Sequence, residues 1–168
     1  MRVFVTGATG WVGSVVVDEL LGAGHQVLGL SRSEEKATVL AKKGADVLRS
    51  TLDDLDQLAD AAGDADAVIH LAFNHDFSKY AENSEQDRRA IEAMGEALVG
   101  TDKPILVTTG LASLAPGRVA TEADMPLSDP NYPRKSEAAA AALAERGVRV
   151  GAIRLATTVH GIGDPALM

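Results

Sequence analysis

The stretch "TGATGWVG", Thr6 to Gly13, sets Gly7, Gly10 and Gly13 three residues apart. It follows the apolar run "RVFV" and leads into "SVVVDELLGAG". Residues of this type at this spacing could hold a pyrophosphate. Glycine turns a chain sharply with positive φ, and its missing Cβ lets backbone N–H groups approach a phosphate. A helix that begins there adds orphan N–H donors and the positive end of its dipole. Gly13 would let that helix pack closely on the preceding strand. The alternative is a tight turn that binds nothing, and the flanking strand-like and helix-like runs argue against it.

Other reactive types are sparser. His70, His75 and His160 show no helical metal spacing, and the chain has no cysteine, so no metal site is expected. No Gly-x-Ser-x-Gly elbow suggests a hydrolase nucleophile. His75 and Asp76 follow an apolar run at the end where open α/β sheets bind ligands. His75 reads either as a proton-transfer group or as a loop histidine with surface partners. "DRR", Asp87 to Arg89, reads as a solvated helix face.

These groups need a scaffold, and the chain supplies one. "RVFVT", "HQVLGL", "ADVLR", "DAVIHLAF", "PILVTT" and "VRVGAIRL" are short, aliphatic and largely non-alternating, as strands buried on both faces are. Helical runs lie between them. Val12, Val16 and Leu20 recur on one face of the first, and "GAG" stops it. Ser33 caps the second, and Asp53 or Asp54 caps the third. Ile91, Met94 and Leu98 form a stripe on the fourth, and "SEAAAAALAERG" is the fifth. Alternation with right-handed crossovers predicts an α/β Rossmann fold, a doubly wound parallel sheet of about six strands. Residues 1–168 read as one domain, with an irregular loop over 114–133.

At this point a resemblance becomes specific. "TGATGWVG", "VLGLSRS", "VIHLAF" and "RLATTVHGIGD" resemble the short-chain dehydrogenase/reductase superfamily, in its extended, atypical, NAD(P)-dependent epimerase/dehydratase-like form. The glycine spacing is one residue wider than the common Rossmann fingerprint. The resemblance implies a nicotinamide dinucleotide along Gly7, Thr9, Gly10, Trp11, Val12 and Gly13. It adds Thr51 and Leu52 beside the adenine, in place of the usual Asp-Leu. Leu71, Ala72 and Phe73 would lie along ribose and pyrophosphate, and Leu155, Thr157 and Thr158 on the nicotinamide side. Family members continue into a C-terminal region that closes over the substrate, whereas this sequence stops at Met168. The lid and pocket are therefore expected beyond it.

The end of the second strand selects the cofactor. An acid there would hold ribose hydroxyls and repel a 2′-phosphate. "GLSRS" offers Ser31 and Arg32 instead, and the first carboxylate is Glu34. The pattern favours NADP over NAD, with a solvated loop charge as the other reading of Arg32.

The reacting end departs from the family pattern. Related dehydrogenases place a Lys four residues after a catalytic Tyr, with a Ser or Thr on the substrate oxygen. Here Tyr132 is followed at that spacing by Ser136, while Lys135 comes one position early. Thr109 is the hydroxyl candidate. Thr109, Tyr132 and Lys135 are the catalytic candidates on this reading. Two functions stay open: an oxidoreductase or epimerase/dehydratase, and a non-catalytic NADP(H)-binding sensor or truncated inactive relative.

Charge narrows the partners. The 168 residues carry a net charge of −8, against nucleic-acid or anionic-membrane binding. No apolar run approaches membrane-spanning length. A cytoplasmic protein acting on an unknown small-molecule substrate is expected. The family resemblance implies a homodimer through the helices after the fourth and fifth strands, here the one bearing Ile91, Met94 and Leu98 and "SEAAAAALAERG".

Overall fold

A computed structural model of the chain describes residues 1–111, 114–126 and 133–156. Six strands form one parallel sheet: β1 (Arg2–Thr6), β2 (Gln26–Ser31), β3 (Asp46–Arg49), β4 (Ala67–His70), β5 (Ile105–Gly110) and β6 (Val150–Leu155). Their order is β3-β2-β1-β4-β5-β6. The direction of winding reverses between β1 and β4, which opens a crevice at their carboxyl ends.

Alternation along β1 shows how the two faces are covered. Val3 and Val5 point to one side, where they pack with Val17 of α1 (Trp11–Gly22) and Leu40 of α2 (Glu34–Lys42). Phe4 points to the other. It shares a core with Leu58 of α3 (Leu55–Asp64), Ile91 and Met94 of α4 (Tyr80–Glu96) and Leu143 of α5 (Ser136–Glu145). Fully burying each such side chain contributes about 1.5–3 kcal/mol, so the sheet is clamped from both sides.

Two local expectations change. On α1 the fully buried side chain is Val17, while Val12, Val16 and Leu20 are half-buried, because the helix rests on the sheet through Gly13 and Val17. Asp54 stands at the N-cap of α3 but makes no cap bond. Its carboxylate accepts from the Thr51 N–H and from the Ser50 and Thr51 hydroxyls, all at 2.8 Å, which holds it below the usual carboxylate range. Ile91, Met94 and Leu98 are completely buried, and this stripe of α4 covers the sheet. Ser33 does cap α2, accepting from the Lys36 N–H at 3.4 Å.

The irregular segment is tied down where it is described. Arg154 of β6 donates to the carbonyls of Thr121, Glu122 and Asp124 and pairs at 2.7 Å with the buried Glu137 of α5. Arg118 and Asp124 form a second ion pair within it.

Candidate functional site

The site starts from the turn between β1 and α1. Gly7 has φ +67°, and a Cβ there would stand 2.7 Å from the Ala72 nitrogen. Both its conformation and its contact with the end of β4 require glycine. A Cβ on Gly13 would stand 2.0 Å from the Gly7 carbonyl oxygen, so α1 begins directly against the turn. Gly10 differs. Its Cβ would meet only the Gly7 oxygen, at 3.2 Å, and the residue is exposed. Gly7 and Gly13 thus shape the turn, while Gly10 leaves its surface open. Thr9 and Val12 are half-buried and Trp11 is partly exposed beside it. A crevice of about 140 Å³ runs from Ala8, Thr9 and Ser14 to Lys36 and Lys43.

A buried polar chain leads from the end of β1 through β4 to α4 and α5. Thr6 Oγ1 lies 3.2 Å from the N–H groups of both Leu71 and Ala72, and 2.8 Å from His70 Nδ1. His70 Nε2 lies 3.0 Å from Asp87 Oδ1. The Ser136 hydroxyl donates to Asp87 Oδ2, and Arg134 Nε donates to Ser136 Oγ at 2.6 Å. Thr6, His70, Asp87 and Ser136 are all 0% exposed, so every partner counts. The proton positions follow from donor capacity. A carboxylate only accepts, so the imidazole proton sits on Nε2. Thr6 Oγ1 already accepts from two N–H groups, so its own proton goes to Nδ1. Hydrogen bonds from both ends therefore converge on Asp87.

Asp87 overturns its assignment to a solvated face. Its spacing to Ile91, Met94 and Leu98 is that of one helical stripe, and this was the available signal. Both ring nitrogens of His70 are used in this chain. Among the described residues, no three His, Asp or Glu side chains gather as metal ligands.

The remaining candidates fall as follows. Ser31 is buried and donates to the Ser33 carbonyl at 3.1 Å, bracing the end of β2. Arg32 is exposed next to it. Glu34, the first carboxylate beyond, is paired with Arg49 of β3. The Thr51 hydroxyl is committed to Asp54, and Leu52 is buried in the core. Leu71, Ala72 and Phe73 are half-buried at the carboxyl end of β4. Thr109 is buried on β5, in register with Arg154, and Leu155 lies beside Gly110. Lys135 points to α4, where its ammonium lies 2.7 Å from Glu85 Oε2. Arg88 and Lys135 together hold the Glu85 carboxyl down at about 2. Tyr132, Thr157 and Thr158 lie outside the described residues.

Arg134 was not foreseen. Its guanidinium carbon stands 3.7 Å above the centre of the Phe73 ring, and Nη2 donates to the Thr108 carbonyl at 3.2 Å. Phe73 also touches His75 and Tyr80 edge-to-face, and Phe77 extends the cluster. Desolvation, and then the nearby Arg134 charge, push the His75 imidazole below its ordinary value.

A doubly wound sheet and a glycine turn at its switch point define a dinucleotide-binding Rossmann domain. Residues 7–161 match the family model described as NAD(P)H-binding, and the chain belongs to that family. It binds a nicotinamide dinucleotide and resembles epimerase/dehydratase-type oxidoreductases. An uncharacterised protein of Schizosaccharomyces pombe is 46% identical over 171 residues, covering 100% of this chain and 57% of the relative. The sterol-4-alpha-carboxylate 3-dehydrogenase (decarboxylating) of Dictyostelium discoideum is 40% identical over 84 residues, 50% of this chain and 24% of that protein. Among solved structures, MoeE5 in complex with UDP-glucose and NAD is 29% identical with a TM-score of 0.75, covering 100% of this chain and 58% of that one. A putative epimerase from Burkholderia cenocepacia J2315 is 26% identical with a TM-score of 0.74, covering 99% and 57%. The chain thus spans 57% of the length of the fungal relative. Among the described residues, no helix is long and apolar enough to cross a membrane.

Proposed function

We propose that this domain holds NADP(H) for an oxidoreductase of the epimerase/dehydratase type. The observation that carries the cofactor choice is the end of β2. Arg32 is exposed there, and the first carboxylate after it, Glu34, is engaged by Arg49 rather than left to face a ribose. An exposed guanidinium with no acid beside it suits a 2′-phosphate through paired N–H donors. Lys36, on the crevice beside the turn, adds positive charge on the same side.

The whole of 1–168 acts as one domain on this reading, in the cytoplasm, on a small-molecule substrate. The turn of Gly7, Gly10 and Gly13 would hold the pyrophosphate, through its backbone N–H groups and the start of α1. The bound dinucleotide supplies the hydride. The chain's own part is to fix the turn, through Thr6 and the close seats of Gly7 and Gly13, and to present Thr109 toward a substrate oxygen. The dehydrogenase relative favours turnover over a sensor role. Absorbance of NADPH, followed with a panel of carbonyl substrates, tests the enzyme reading; a domain that binds NADPH and turns over none of them counts against it.

A further inference from the structure

We infer that Arg134 is the fixed cation of the reacting end and binds the distal, nicotinamide-side half of the dinucleotide. The inference rests on the dinucleotide reading above. Four residues after Tyr132, where related dehydrogenases carry a lysine, this chain has Ser136, which is too short to reach a cofactor and is completely buried. Lys135 does not replace that amine, because it lies on Glu85 at the surface of α4. Arg134 can. Ser136 holds its Nε at 2.6 Å, the Thr108 carbonyl holds Nη2 at 3.2 Å, and the Phe73 ring supports its plane. Asp87 Oδ2 lies 3.7 Å from Nε and balances part of the charge.

Three elements thus aim one guanidinium over the carboxyl ends of β4 and β5. A side chain that sits on Phe73 is beside the segment assigned to the cofactor ribose. A guanidinium cannot lose its proton in a protein, so this charge is permanent, unlike that of a titratable lysine. Its side chain is 13% exposed, enough to meet a ligand and too little for a free surface charge. Ser136 and Asp87 are positioning residues: they act through Arg134.

The test compares NADPH with 2′,5′-ADP, which has the phosphorylated adenosine but no distal ribose or nicotinamide. Both are titrated into the wild type, Arg134→Gln, Arg134→Lys and Ser136→Ala. The expected result is a roughly tenfold loss of NADPH affinity in Arg134→Gln, with 2′,5′-ADP unchanged within about twofold. Arg134→Lys should keep part of the affinity, and Ser136→Ala should lose part of it, with the same selectivity. A purely structural role would weaken both ligands together. Equal losses for both, or no loss for either, would overturn the inference. Wild type that binds ADP but ignores 2′,5′-ADP would overturn only the 2′-phosphate reading; the same ratio is then read with NADH and ADP.

Discussion

A Cβ placed on Gly13 would stand 2.0 Å from the carbonyl oxygen of Gly7, so the first turn of α1 is seated on the glycine that follows β1. No side chain can yield there, because the contact is backbone. Gly13→Ala must therefore move the helix or the turn. We expect it to lower unfolding stability by about 1–3 kcal/mol, as overpacking does, and to weaken NADPH binding as well. Urea denaturation and a cofactor titration on the same preparation measure both.

Gly10 separates ligand space from packing. Its missing Cβ faces only the Gly7 oxygen at 3.2 Å, and the residue is exposed. Gly10→Val should keep a cooperatively folded protein, with a modest fall in Tm as the Cβ presses on the Gly7 carbonyl, and lose cofactor binding, since the branch fills the place of the pyrophosphate. Calorimetric titration of a folded Gly10→Val protein that still binds NADPH would make the loop merely structural.

Asp87 is the acceptor on which two buried arms converge. Asp87→Ala leaves His70 Nε2 and the Ser136 hydroxyl buried without their partner. The expected cost is about 3 kcal/mol, and Asp87→Asn should cost less because its carbonyl oxygen still accepts from Nε2. Chemical denaturation checks the order of the two variants. Nitrogen-15 spectra of the wild type should show His70 protonated on Nε2 and not on Nδ1.

His75 should titrate below its ordinary 6.5, because desolvation and then Arg134 disfavour the imidazolium. Folding therefore favours the neutral ring. Its contribution to stability is fully present above the unfolded value and is lost as pH falls through the interval below it. The imidazole proton shifts should follow this midpoint. Arg134→Gln should raise it only partway, since burial is the larger cause. A midpoint at or above 6.5 in the wild type would contradict the packing of His75 against Phe73.

Much of this was legible in the residues themselves. All six strands come from non-alternating aliphatic runs, and the parallel sheet follows because such runs must be covered on both faces. Ser33 shows as a cap because a hydroxyl stands directly before two acids and an apolar period. The polar chain was not legible, because its members stand far apart: Thr6 with His70 and Asp87 with Ser136 meet only once β1, β4, α4 and α5 are stacked. Asp87 was hidden by its neighbours, since "DRR" is charged throughout and only the register with Ile91 tells which member points inward. Likewise the competition for Lys135 came from Glu85, 50 residues away.

The central claim is that the glycine turn and the end of β2 hold NADP(H) together. Titration of NADPH and NADH at one ionic strength, into the wild type and Arg32→Ala, tests it most directly. A charge-assisted contact is worth about 1.5–3 kcal/mol, so NADPH should bind about ten- to a hundredfold more tightly than NADH. That preference should collapse in Arg32→Ala while NADH affinity stays the same. Equal affinities in the wild type, or a preference that survives the loss of Arg32, would contradict the account.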